Sequence, residues 1–239
     1  MYPKLLYLRK IKLNELSWVH SIEHINYVKQ VCKSGGGYLD PDTPVSINSY
    51  DIALQSAGAW LDGVDEILNG NSAFIISRPP GHHAEANKSM GFCLFSNAAL
   101  AATYALKQNN INKVAIFDWD VHHGNGTQNI IKSNPNIAYA SIHQFPFYPG
   151  TGSQIEKGKF NNILNIPIPS GYNNNKYKSI FDKQIFPFIQ NFSPDIFIIS
   201  AGFDAHKKDP LAETNLNSDI FAYMTKQCLI IQPNLLLGL

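Results

Sequence analysis

The sequence alternates short apolar runs with longer stretches in which apolar residues recur every three or four positions. Strands of a parallel sheet are covered on both faces, so they read as nearly continuous apolar runs. The alternation predicts an α/β fold of three layers, in which a central, mostly parallel sheet is flanked by helices. Ser49 opens the first predicted helix and is a residue type that often caps helix N-termini. The predicted strands cover residues 73–77, 114–119, 137–142, 163–168 and 196–200, and the predicted helices cover 49–68, 96–107, 173–190 and 219–231.

Composition limits the classes of partner that the chain can attract. With 239 residues, 44% of them hydrophobic and 15% charged, the chain is long and apolar enough for one globular domain. Its 19 basic and 18 acidic side chains give a net charge of +1. Because no overall field would attract nucleic acid or an acidic membrane surface, we expect neither as a direct partner. The substrate must then be recognised locally.

The cysteines and the apolar runs predict the compartment. Cys32, Cys93 and Cys228 are odd in number and lack a Cys-x-x-Cys spacing, so neither a disulfide framework nor a structural zinc knuckle is indicated. Residues 1–6 lack the features of a signal peptide, and no apolar run approaches the ~18 residues that would span a bilayer. These features predict a soluble, cytoplasmic protein.

Polar residues follow the predicted strand at 114–119 in an unusual density. In open α/β sheets ligands bind outside the carboxyl ends of the strands. Residues two apart on a strand face the same side, so Asp118, Asp120 and His122 can point together at one metal ion. The motif is weak by itself, because the two aspartates could equally cap a helix or pair with surface lysines.

The strand at 196–200 is followed by another acidic residue, Asp204. Catalytic zinc sites usually take three protein ligands and leave one position open for water. Asp120, His122 and Asp204 would complete such a set, with His206 as a rival ligand. Alternatively, Asp204 caps the turn that follows the strand.

The strand at 73–77 leads into a stiff loop with two adjacent histidines. Pro79 and Pro80 restrict the backbone directly before His82 and His83. Imidazole titrates near neutral pH, so a rigidly held pair suits general acid and base catalysis. The pair could instead bind metal or lie on the surface.

Together these segments resemble the zinc-dependent histone deacetylases and their bacterial relatives. The resemblance runs from about residue 18 to residue 226 and implies a single domain over 1–239 with the arginase/deacetylase fold. The Pro-Pro-Gly before the histidines and Asn125 resemble the class II and acetylpolyamine amidohydrolase branch. The matching strings are GGGYLDPDTPVS at 35–46, RPPGHHAE at 78–85, GFC at 91–93, DWDVHHGNGTQ at 118–128, SIHQFPFYPGTG at 141–152 and SAGFDAHKKDP at 200–210.

The resemblance implies a role for each matching site residue. One catalytic zinc ion would be held by Asp120, His122 and Asp204, which removes His206 from the ligand set. His82 and His83 would form the catalytic pair, with His83 as the general base. Asp118 would contact His82, and Asn125 would contact His83, so that each partner orients its histidine. A structural potassium ion would be held by Asp118, Asp120, His122 and Ser141. The acyl-lysine tunnel would be formed by Gly91, Phe92, Tyr148 and Leu211.

The implied reaction is the hydrolysis of an N-acetyl amide, on a lysine side chain or a polyamine, to acetate and a free amine. Zinc would polarise the acetyl oxygen and lower the pKa of its bound water from 15.7 towards ~7. His83 would take the proton of that water as it attacks the acetyl carbon.

The sequence departs from the family at both ends. Family members carry a Gly-Gly-Tyr after the last zinc aspartate, but no tyrosine follows Tyr223, and Pro233 stands where a strand could form. Gly35–Tyr38 belongs to a different matching segment. The usual opening strand is also not recognisable, so we expect a chain shortened at both ends and without the C-terminal strand.

The alternatives to an active deacetylase are a catalytically impaired acyl-lysine-binding member of the family and an arginase-like enzyme, which would need a second metal.

Overall fold

Six parallel strands form the central sheet of the computed structural model, which describes residues 9–239. Helices cover both faces, so the predicted three-layer α/β fold is confirmed. A separate two-stranded hairpin consists of β1 (Gly36–Tyr38) and β2 (Pro44–Ser46). The sheet contains β3 (Ala73–Ile75), β4 (Val114–Asp118), β5 (Ile137–Gln144), β6 (Ile163–Ile168), β7 (Ile196–Ser200) and β8 (Leu235–Gly238), in the spatial order β3-β8-β7-β4-β5-β6.

Eight helices surround these strands within the described residues. None of them is both long enough and apolar enough to cross a bilayer. All three cysteines are buried and free, as expected for a chain without a disulfide framework. The helices are α1 (Leu13–Leu16), α2 (Ile22–Lys33), α3 (Ser49–Leu68), α4 (Asn97–Ala105), α5 (Asn125–Ile131), α6 (Asn174–Ile180), α7 (Phe186–Phe192) and α8 (Ser218–Ile231), and a π-helical turn (Phe181–Ile185) joins α6 to α7.

Alternation along the strands divides the core into two layers. Ala115 and Phe117 of β4 pack with α6, α7 and α8, whereas Val114 and Ile116 of the same strand pack with α3, α4 and α5. Because β4 is buried on both faces, each of its residues is apolar until Asp118, its last. The first polar side chain thus appears where the strand leaves the core.

The five predicted strands and four predicted helical segments are all present, and the bounds of 49–68, 163–168 and 196–200 are as predicted, whereas the other segments have shifted ends. β5 continues two residues beyond the prediction, and the helical segment 173–190 contains the π-helical turn. The capping role expected for Ser49 is wrong, because Asn48 holds the cap position and Ser49 is the first helical residue. The Ser49 hydroxyl instead accepts the backbone N–H of Ser46 at 2.9 Å.

The C-terminal strand expected to be missing is present as β8. Leu235 and Leu236 are buried, and the strand lies between β3 and β7 with parallel pairing on both sides. Pro233 lies before the strand, so it removes no hydrogen bond from the sheet. The run of leucines has no β-branched residue, which explains why it does not read as a strand. The shortened start expected from the sequence falls on residues 1–8, outside the described residues.

Candidate active site

The parallel register brings the ends of the central strands side by side. Asp118 of β4 is directly opposite Ser200 of β7 on one side and Ser141 of β5 on the other. β4 and β7 end at this level, whereas β5 continues to Gln144, so the loops after β4 and β7 begin next to each other and beside the last residues of β5. The polar residues that follow these strands are therefore gathered into one region.

Asp120, His122 and Asp204 converge in this region. One ligand atom from each lies within 4.8 Å of the others, and His122 Nδ1 is 3.0 Å from Asp120 Oδ1 and 2.8 Å from Asp204 Oδ2. Backbone contacts hold the two loops together, since the Val121 N–H donates to Asp204 Oδ1 at 2.9 Å. Gly202 lies against the Asp120 carboxylate, where any Cβ would collide with it. His206, the rival ligand, instead accepts the backbone N–H of Lys208.

The charges of this triad favour a bound cation. Burial lowers the pKa of His122, but the hydrogen bonds that the carboxylates of Asp120 and Asp204 accept from it outweigh burial and raise the pKa to about 10. Burial and the neighbouring charge of Asp120 raise the pKa of Asp204. Two carboxylates and one imidazole are a suitable donor set for a catalytic zinc, which leaves a coordination position free. The residues present thus fit the predicted metal.

His82 lies beside the triad and is held by a buried carboxylate. Its Nδ1 is 3.1 Å from Asp118 Oδ2, and Asp118 is fully buried. The Tyr139 hydroxyl donates to the same carboxylate oxygen at 3.2 Å. Burial lowers the pKa of His82, but the charges of Asp120 and Asp118 outweigh it and raise the pKa to about 9. The two carboxylates therefore favour the protonated form of His82.

His83 has the opposite electrostatics, although its ring centroid is 3.9 Å from that of His82. Its Nδ1 is 2.8 Å from Asn125 Oδ1, so its partner is a neutral amide. Burial and the neighbouring charge of His82 hold the pKa of His83 well below its usual value. Two adjacent groups whose pKa values are pushed apart are typical of acid and base assignments. A neutral His83 is in the state that a general base needs.

Aromatic rings stand around the histidines. The Tyr148 ring meets His83 edge to face with a centroid distance of 5.1 Å. Phe147, which sequence reasoning missed, stacks on His122 at 5.0 Å. Its position directly before Tyr148 was the available signal, but two adjacent aromatics do not reveal which one faces the metal. These rings give the triad an apolar surround.

The other predicted tunnel residues lie on loops. Gly91 lies against the His83 ring, where a Cβ would collide with it. Phe92 follows with 57% of its surface exposed, and Leu211 lies farther along the loop after Asp204 with 70% exposed. Tyr38, which follows glycines but belongs to a different segment than the family's Gly-Gly-Tyr, is exposed in β1.

The predicted potassium ligands lie at or near the end of β4, with Ser141 on the neighbouring strand β5. Ser141 is directly opposite Asp118, and its hydroxyl lies 2.9 Å from His143 Nδ1. Asp120 and His122 follow within four residues of Asp118. The ion itself stays a prediction.

Comparisons with known proteins agree with this geometry. Residues 3–237 match the histone deacetylase domain family. An uncharacterized protein of Synechocystis sp. is 48% identical over 221 residues, which are 92% of this chain and 73% of that protein. A histone deacetylase-like amidohydrolase of Pseudomonas aeruginosa is 37% identical over 218 residues, which are 88% of this chain but only 57% of that protein.

A solved structure is similar over almost the whole chain. The crystal structure of the HDA15 HD domain matches with a TM-score of 0.94 and 36% identity, over 98% of this chain and 69% of that chain. The present chain thus spans only part of the length of these relatives. On the evidence of sequence and fold together, the chain belongs to the histone deacetylase family.

Proposed function

We propose that the chain is a zinc-dependent deacetylase that hydrolyses N-acetyl amides of lysine side chains or polyamines to acetate and a free amine. The observation that carries the proposal is the convergence of Asp120, His122 and Asp204 next to a neutral His83. The relatives named deacetylase or amidohydrolase support the reaction class.

The metal and the protein residues would have separate roles in the hydrolysis. Zinc held by the triad would polarise the acetyl oxygen and lower the pKa of a bound water. His83 would accept the proton of that water at Nε2, because its Nδ1 faces Asn125, and would pass this proton to the amine as the amide C–N bond breaks. His82, whose protonated form is favoured by the charges of Asp120 and Asp118, would stabilise negative charge as it develops on the substrate. Tyr148 and Phe92 would enclose the aliphatic stem and exclude water.

A second candidate is a family member that binds acetylated side chains with little turnover. The sequence contains no Gly-Gly-Tyr after Asp204, the segment whose hydroxyl helps to hold the oxyanion in the family that it resembles. Loss of one oxyanion donor lowers turnover by about 10²–10³. An arginase-like enzyme is less favoured, because residues 9–239 contain one candidate metal cluster and that chemistry needs two ions.

Metal content and acetate release test these candidates. We expect about one zinc per purified chain and acetate release from an acetyl-lysine peptide or an acetylpolyamine. His122→Ala should lose both the zinc and the acetate, whereas His206→Ala should keep both. Zinc and hydroxamate binding without acetate release would favour the second candidate, and a chain that binds no zinc would contradict both.

Comparing the two substrates would decide between lysine and polyamine specificity. The cytoplasmic location, the potassium ion and the lack of a nucleic-acid or membrane partner stay predictions.

A further inference from the structure

We propose that Glu85 is a positioning residue that sets the tautomer of His83 through the side-chain amide of Asn125. The inference deepens the proposed function and rests on it. It comes from a chain of two hydrogen bonds that runs from His83 through Asn125 to Glu85.

Asn125 links the two residues with both ends of its amide. Its Oδ1 lies 2.8 Å from His83 Nδ1, and its Nδ2 donates to Glu85 Oε1 at 3.0 Å. Asn125 is buried at the first position of α5. Gly126 lets this helix approach closely, because a Cβ there would collide with the backbone of His83 and Ala84. The packing of α5 therefore holds Asn125 between its two partners.

The chemistry of the three groups allows one arrangement of protons. A carboxylate oxygen accepts hydrogen bonds, so Asn125 must turn its NH2 group towards Glu85. The amide oxygen then faces His83 and can only accept, which means that His83 Nδ1 carries the hydrogen. A neutral imidazole has one N–H, so Nε2 keeps its lone pair. That nitrogen is the one the proposed base needs.

Without Glu85, the only other acceptor for the Asn125 NH2 group among the described residues would be Met90 Sδ at 3.5 Å, and a thioether sulfur is too weak an acceptor to fix the direction of the amide. A rotated amide would donate its NH2 to His83 Nδ1 and favour the tautomer with the hydrogen on Nε2. That tautomer cannot accept a proton at Nε2. His82 needs no such device, because its partner Asp118 presents acceptor oxygens in either orientation. The amide behind His83 is therefore the place where a further orienting residue is required.

The backbone of Glu85 is itself held in place. The Glu85 carbonyl accepts a hydrogen bond from His20 Nδ1 at 3.0 Å, and its N–H donates to the carbonyl of Lys88 at 2.9 Å. The side chain borders a groove of about 520 Å³ on the far side of Asn125 from His83. Glu156 borders the same groove but accepts a hydrogen bond from Gln128 instead. It is thus a matched control carboxylate.

Glu85→Gln tests the proposal, because it keeps the shape of the side chain and adds a donor. Long-range ¹H–¹⁵N spectra of the imidazoles report the His83 tautomer directly, with or without metal. We expect the wild-type protein and Glu156→Gln to show hydrogen on Nδ1, and Glu85→Gln and Glu85→Ala to show a mixture. A wrong tautomer of a catalytic histidine can lower turnover by about 10⁴, so kcat should fall at least about tenfold with KM nearly unchanged.

Asn125→Asp provides a rescue that a merely structural role of Glu85 would not give. An aspartate at 125 presents acceptor oxygens in either orientation, so Glu85→Gln in that background should restore hydrogen on Nδ1. The proposal is overturned if Glu85→Gln leaves the His83 tautomer unchanged, or if Glu156→Gln changes it equally. A protein that shows the expected tautomers but releases no acetate would contradict the proposed function and leave the positioning role intact.

Discussion

The metal-binding side and the tunnel side of the candidate site are held by the fold in different ways. Asp120 and His122 follow β4 and Asp204 follows β7, two neighbouring strands at the centre of the sheet. Gly91 and Phe92, in contrast, belong to a tight turn outside any element of the sheet. The candidate metal ligands thus owe their positions to strand pairing, whereas the predicted tunnel wall depends on contacts between loops.

The tunnel-side turn shows what such contacts must do. Met90 and Cys93 pair across it, and both central residues have positive φ, 56° at Gly91 and 65° at Phe92. Positive φ at both centres is typical of a type I′ turn, in which a phenylalanine is strained.

Two residues of the β1–β2 hairpin receive the N–H groups of this turn. Asp42 accepts from Gly91 at 3.1 Å, and the buried hydroxyl of Thr43 accepts from Phe92 at 3.2 Å. The Thr43 hydroxyl in turn donates to Asp42 at 2.9 Å. A distant segment therefore stabilises the strained backbone that presents Phe92.

The largest effect is expected on the metal side, at Gly202→Ala. The added methyl would collide with the Asp120 carboxylate inside a rigid strand-end arrangement. We expect zinc content to fall close to zero and the free energy of unfolding to fall by about 1–3 kcal/mol, as overpacked sites do. The tunnel-side comparison is Gly150→Ala, which meets open space at a φ of +81° and should cost about 1–2 kcal/mol with zinc retained. Equal zinc loss in both variants would remove the distinction between the two sides.

Acid should weaken the tunnel side through His20. This buried ring contacts the carbonyl of Glu85 and accepts the N–H of Ser96, so it links both ends of the segment that carries Gly91 and Phe92. Burial, with the nearby charge of His24, lowers the pKa of His20 to about 3. The unfolded chain binds the proton near pH 6.5, so the stabilisation is complete above that pH and is lost as the pH falls towards 3.

Protonation of His20 in the unfolded chain should lower the free energy of unfolding by about 1.4 kcal/mol per pH unit, or by about 2 kcal/mol between pH 6.5 and pH 5. Urea unfolding at a series of pH values measures it. His20→Asn should be less stable at pH 7 but should show a shallower acid slope. An unchanged slope would mean that His20 titrates normally in the folded protein.

Thr43→Val tests the contact between the hairpin and the turn. Valine keeps the shape of threonine but leaves the Phe92 N–H without its acceptor, which should cost about 1–2 kcal/mol of unfolding free energy. Thr43→Ser keeps the hydroxyl and should cost less. In a Phe92→Gly background the loss should shrink, because glycine adopts positive φ without strain. Identical losses in both backgrounds, measured by urea unfolding, would show that the contact does not support the strained residue.

The smallest effect is expected at Leu211→Ala. Its side chain is 70% exposed, so the free energy of unfolding should change by no more than about 0.5 kcal/mol. If Leu211 lines the entrance, KM for an acetylated peptide should rise while zinc content stays constant. A Leu211→Ala protein that loses zinc would show that the outer loop also supports the metal side.

The fold could be predicted from the sequence because it follows from strand periodicity. The candidate metal triad also needed the family resemblance, because periodicity alone left His206 as a rival ligand. Continuous apolar runs ended at polar residues, and the carboxyl ends of parallel strands meet at one edge. β8 was not predicted because a short run of leucines beside a proline favours neither a strand nor a helix. Phe147, Thr43 and Glu85 were not predicted because their roles depend on partners far away in the chain.

From the sequence alone came the three-layer fold, through local periodicity, and the residues of the candidate metal triad and the histidine pair, through the family resemblance of their motifs. Only the tertiary structure decided which aromatic ring stacks on His122, what supports the strained turn at Phe92 and which carboxylate accepts from the amide of Asn125. The reason is physical, because hydrogen bonds and ring contacts depend on distances of a few ångströms between segments that chain order leaves far apart.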